Sequence, residues 1–97
     1  MVRLAHVFVE DQTTQIERMR TAWADLDRAS VARRAHSLKG SARLFGAERL
    51  TELAAELEQK AYGLAPPEGE ALIEALATEF EAVRQMLAAR YGLGVAE

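Results

Sequence analysis

Apolar positions return every three or four residues through most of this chain, the spacing of helices that each bury one face. The clearest run is Val31, Ala35, Leu38, Ala42 and Phe45, a single seam closed by Gly46, a residue suited to ending a helix. Leu50, Leu53, Ala54, Leu57 and Ala61 trace a second helix that stops at the Gly63 to Pro67 loop. Leu72, Leu76, Phe80, Val83 and Leu87 trace a third that runs to Gly92 and Gly94, with Glu68 and Glu70 near its start, where the helix dipole favours anions. Toward the N-terminus Leu4, Val7 and Phe8 give a short apolar face that ends at the polar run Glu10 to Thr14. Thr14 with Glu17 has the form of a capping box and predicts a fresh helix start, after which Ile16, Met19, Trp23 and Leu26 continue to a connection at Asp25 to Asp27. β-Branched residues are sparse and proline is confined to Pro66 and Pro67. The expected fold is all-α, an antiparallel four-helix bundle with a short additional N-terminal helix, forming one domain over residues 1–97.

Composition narrows the chemistry. With no cysteine there is no disulfide, no thiolate metal site and no cysteine nucleophile. No apolar run approaches a membrane span and no secretory leader pattern stands at the N-terminus, so a cytoplasmic location with no membrane partner is expected. A net charge of -3 gives no general attraction for nucleic acid. Its distribution is uneven, however. Arg28, Arg33, Arg34, Lys39, Arg43 and Arg49 stand against a single acid, Glu48, between residues 28 and 49. Such a stretch is either a solvated face paired with acids on neighbouring helices or an electropositive surface centred on His36.

His36 follows the seam position Ala35, which rotates it about 100° away from the core and toward solvent. Lys39 and Gly40 stand three and four residues on and Arg43 one turn further, all on the same outward strip. Gly40 is the informative residue, because a glycine within a helix costs on the order of 1 kcal/mol relative to alanine. The seam continues in phase through Ala42 and Phe45, so the glycine marks a place where another body comes close rather than a helix end. Lys39 is suited to offsetting charge on an incoming phosphoryl group, and Arg43 to extending that field. A histidine of ordinary pKa is partly neutral near pH 7 and offers one ring nitrogen as a nucleophile. Glu58, one residue past Leu57, is nearly as far from Gly46 as His36 is, so a hairpin of the two helices brings its carboxylate toward the imidazole. A hydrogen bond from Nδ1 to Glu58 would leave the Nε2 lone pair free, although the same carboxylate also favours the imidazolium. His6 has no such neighbours and is assigned no role.

The run Ala35-His36-Ser37-Leu38-Lys39-Gly40-Ser41-Ala42, followed by Leu44-Phe45-Gly46 and later Leu57-Glu58, resembles the signature of the histidine phosphotransfer family. The resemblance implies that His36 is phosphorylated, that Lys39 is the phosphate-proximal cation, that Gly40 gives clearance and that Glu58 contacts the imidazole. It implies a phosphocarrier without an ATP site of its own that exchanges phosphate with the aspartate of response-regulator receiver domains, in a pathway whose other partner is a sensor or hybrid histidine kinase. Magnesium is expected on the receiver, with no metal or cofactor here. A docking surface near the histidine is expected from Arg43 and the exposed members of Leu4, Val7 and Phe8.

Two rivals share these features. One is the phosphoacceptor domain of a chemotaxis-type kinase, fed directly by an ATP-binding domain; the short tail after Tyr91 favours a free-standing carrier instead. The other is a helical adaptor that binds receivers without transferring phosphate. An enzyme with independent turnover is disfavoured by the lack of a paired acid and base, a metal cluster or a nucleophile elbow.

Overall fold

The structure, a computed structural model, describes residues 2–92. Four helices follow one another: α1 (Val2–Ala24), α2 (Arg28–Leu44), α3 (Glu48–Lys60) and α4 (Pro66–Tyr91). Each packs against its neighbours in sequence and α1 also packs against α4, closing a ring in a body of 39 × 24 × 17 Å. The seams of α2 and α3 are buried as their spacing requires, with Val31, Ala35, Leu38, Ala42, Leu50, Leu53, Ala54, Leu57 and Ala61 in the core and Phe45 half-buried against it. On α4 the inner line is Ile73, Leu76, Phe80, Val83 and Leu87, with Leu72 half-buried at its edge.

The separate N-terminal helix does not form. Residues 2–24 make one continuous α1, and the Thr14 and Glu17 side chains lie exposed on its surface rather than capping a start. The polar run fails to break the helix because it contains neither glycine nor proline and because only Gln12 faces inward. Gln12 is buried between Phe8 and Ile16, spaced four residues from each, so the inner face continues through an amide. Thr13 satisfies its hydroxyl on the Val9 carbonyl at 2.7 Å.

Helix α1 ends by a Schellman closure: Asp27 N–H donates to the Ala22 carbonyl and Leu26 N–H to that of Trp23. The left-handed residue here is Leu26, at φ 61, with 63% of its surface exposed. Leu26 is therefore not the core residue its spacing suggests. Asp27 then caps α2 by accepting from Ser30 N–H at 3.2 Å. The same closure ends α2, with Gly46 at φ 69 and Ala47 N–H donating to the Ala42 carbonyl at 3.0 Å. Pro66 and Pro67 belong to the first turn of α4 rather than to the preceding loop, where missing N–H groups cost nothing. Glu68 accepts from Ala65 N–H at 2.9 Å. Gly92 ends α4 in the left-handed conformation, and Gly94 lies outside the described residues.

Two aromatic clusters tie the ring together. Phe8 packs with its ring tilted, 4.7 Å from that of Phe45 and 6.0 Å from that of Phe80, joining α1 to the end of α2 and to α4. Trp23 donates from Nε1 to the Pro66 carbonyl at 2.8 Å and covers Gly69, where a Cβ would collide with the indole. Arg28 lies 4.5 Å over the Trp23 ring and donates to the Ala61 and Leu64 carbonyls, fastening α2 to the end of α3.

Candidate functional site

Helix α2 presents His36 with 68% of its side chain exposed, so Nε2 is open to an approaching partner. Its Nδ1 lies 2.7 Å from Glu58 Oε2 on α3. Lys39, one turn along α2, places Nζ 2.7 Å from the other oxygen of the same carboxylate, Oε1, with 22% of its side chain exposed. The Lys39 ammonium, with a smaller contribution from His36, holds the Glu58 carboxyl below its ordinary pKa against a weaker opposing effect of desolvation. An ionised carboxylate only accepts hydrogen bonds, so Nδ1 carries the hydrogen and donates. In the neutral ring the lone pair then resides on Nε2, facing solvent.

Gly40 is exposed in the interior of α2, and a Cβ added there would meet nothing within 4 Å. No packing inside the bundle calls for a glycine at this place. Arg43 is exposed one turn beyond, without an ion-pair partner among the described residues.

The remaining cations of the basic stretch divide between the two readings. Arg28 is committed to Trp23 and two carbonyls, and Arg49 sits 3.6 Å from Glu52 on its own helix. Arg34 donates to Gln15 Oε1 at 2.9 Å, and Gln15 Nε2 donates to Ser37 Oγ at 3.3 Å, so a polar bridge from α1 reaches the residue beside His36. This bridge has no signature in the sequence, since its partners are 19 and 22 residues apart on different helices.

Of the expected docking residues, Leu4 and Val7 are exposed, as is their neighbour Val2. Phe8 is not available: it is buried between Phe45 and Phe80, because it is the one of the three that falls on the inner face of the continuous α1. Leu44 was not among the expected docking residues. It is 74% exposed, four residues beyond Gly40 on α2, and next to the Phe45 that packs on Phe8. Its isolation from the seam is the only sequence signal, and that does not separate a docking residue from a loose surface leucine.

Residues 3–88 match the Hpt domain family, and the chain belongs to that family. Neither a curated protein sequence nor a solved structure gives a match. Membership makes the chain a histidine phosphotransfer domain of phosphorelay signal transduction, a helical bundle that carries phosphate rather than an enzyme with its own ATP site. Among the described residues no helix is long and apolar enough to cross a membrane.

Proposed function

We propose that this protein is a cytoplasmic phosphorelay carrier that accepts a phosphoryl group on His36 and exchanges it with the aspartate of response-regulator receiver domains. The observation that carries the reading is the hydrogen-bonded set His36, Glu58 and Lys39 beside an exposed Gly40 that the fold does not need. An antiparallel bundle agrees with the pairings of His36 with Glu58 and of Phe8 with Phe80, and His36 stands on the exposed side of α2.

The Nε2 lone pair attacks phosphorus, and the receiver's aspartate leaves with the electron pair of the breaking P–O bond. The imidazole then carries an N–P bond on Nε2 and a proton on Nδ1, so positive charge grows on the ring as transfer proceeds. Glu58 lies against that charge at 2.7 Å and stabilises it where it develops. Lys39 holds Glu58 Oε1 at 2.7 Å and so orients the carboxylate whose other oxygen meets Nδ1. Gly40 lets the receiver's phosphoryl group approach without a side chain in its path. Leu44, Leu4 and Val7 supply apolar surface for the receiver, with Arg43 at its edge. Magnesium belongs to the receiver, and a sensor or hybrid histidine kinase is the remaining partner of the pathway.

The alternative of a kinase-fed phosphoacceptor shares the site, so the experiment compares donors. The protein and His36→Gln are incubated with a panel of receivers phosphorylated by a small acyl phosphate, and separately with ATP and a histidine kinase catalytic domain. Label passing from receivers to the protein, and not to His36→Gln, is the expected result. Label arriving only from the ATP-fed catalytic domain replaces the carrier with the kinase-fed domain, and label from neither favours the non-transferring adaptor.

A further inference from the structure

The site contains two cations on one strip of α2, and their circumstances differ. Lys39 is half-buried with its ammonium against Glu58, so the pair contributes no net charge toward a phosphoryl group. Arg43 is exposed and unpaired among the described residues. Resting on the carrier reading above, we propose that Arg43 supplies the cation that holds the phosphoryl group on His36, and that Lys39 is a positioning residue acting through Glu58.

Three features of the helix support this division. Seven residues separate His36 from Arg43, a spacing that returns to within about 20° of the same face. The rise between them is about 10.5 Å, most of which an arginine extended toward the N-terminus spans. Helical side chains lean toward the N-terminus and cover the turn before their own Cα, so the surface that Arg43 naturally covers is that of Gly40. A Cβ there would meet nothing, and without one the lane between Arg43 and His36 stays clear. Gly40 thus serves the bound phosphoryl group as well as the docking partner. The guanidinium also matches the task, since its fork binds two phosphoryl oxygens at once and its charge does not titrate. Arg33, the other exposed arginine near His36, leans away from it and lies 3.4 Å from Ser30 Oγ.

The test uses the full chain loaded by phosphoramidate, so that neither receiver nor kinase enters. Attack by Nε2 forms the new N–P bond, the donor's N–P bond breaks, and its nitrogen leaves as ammonia. Phosphorus NMR across pH 5 to 8 then gives the second pKa of the bound phosphoryl group. A guanidinium in contact with the phosphoryl oxygens, about 4 Å from phosphorus in a watery setting, lowers that pKa by roughly three-quarters of a unit. Arg43→Gln is expected to raise it by about that amount, Arg43→Lys by less, and Arg33→Gln not at all. Nitrogen NMR of the unloaded protein reads the His36 tautomer, which Lys39→Ala is expected to shift away from Nδ1–H while Arg43→Gln leaves it unchanged. A phosphoryl pKa identical in the parent protein and Arg43→Gln overturns the proposal, even if Arg43→Gln slows transfer from receivers, because Arg43 is then a partner contact. A tautomer unmoved by Lys39→Ala overturns the role given to Lys39. A folded parent protein that takes no phosphoryl group at His36 overturns the carrier reading itself, a result distinct from either.

Discussion

Gly40 separates what the bundle needs from what its surface does. Replacing it with alanine adds a methyl group that meets nothing within 4 Å, so no strain offsets the gain in helix propensity of about 1 kcal/mol. For a domain of this size that gain raises the melting temperature by roughly 4 to 8 °C. Gly40→Gln gains slightly less stability and places a long side chain on the lane beside His36, which should slow transfer from a phosphorylated receiver by at least about tenfold. Thermal unfolding followed by circular dichroism reads the first effect, and rapid-quench transfer of labelled phosphate the second. The informative outcome is the combination, a more stable protein that transfers poorly. A fall in melting temperature for Gly40→Ala would refute the reasoning, because the glycine would then answer a demand of the fold. Unchanged transfer by Gly40→Gln would refute the clearance argument.

Other consequences follow from the same structure. Leu26→Gly should stabilise the protein by about 1 kcal/mol, since an exposed leucine held at positive φ gives up left-handed strain and loses little burial; denaturant unfolding measures it. Gly69→Ala should destabilise by about 1 to 3 kcal/mol by driving a methyl into the Trp23 indole, and the change in Trp23 fluorescence should accompany it. Phe8→Ala should cost about 3 to 5 kcal/mol in unfolding experiments, as befits a core residue rather than a docking one. Glu58 has a folded-state pKa below its ordinary 4.5, so its stabilising contribution is complete above that value and is lost as acid protonates it through the lowered pKa. The stability of the parent protein relative to Glu58→Gln should therefore fall below about pH 4.5, and a difference that stays level down to acid unfolding would remove the ion pair from the account.

The parts of the fold legible in the sequence are those where one physical signal acts alone. The seams of α2 and α3 are unbroken apolar runs, and every residue assigned to them from Val31 to Ala61 lies in or against the core. The approach of Glu58 to His36 was legible for a related reason: two helices of regular rise joined at Gly46 put residues equidistant from the turn side by side. Helix α1 defeated the same reasoning because a core position is filled by Gln12, whose amide makes a polar run look like a boundary. Leu26 kept helical spacing after the helix had ended, which spacing alone does not reveal. The engagement of Lys39 by Glu58 depends on side-chain rotamers, and the Arg34–Gln15–Ser37 bridge on which residues of α1 face α2. Neither follows from residue type or spacing.

The central claim is that His36 carries phosphate on Nε2 while Nδ1 keeps its hydrogen bond to Glu58. Phosphorus and nitrogen NMR of the protein loaded from a phosphorylated receiver tests it directly. The account predicts a single phosphohistidine signal, labile to acid and stable to base, bonded to Nε2 of His36 and absent from His36→Gln. A phosphoryl group bonded to Nδ1, or one that persists in His36→Gln, would contradict it.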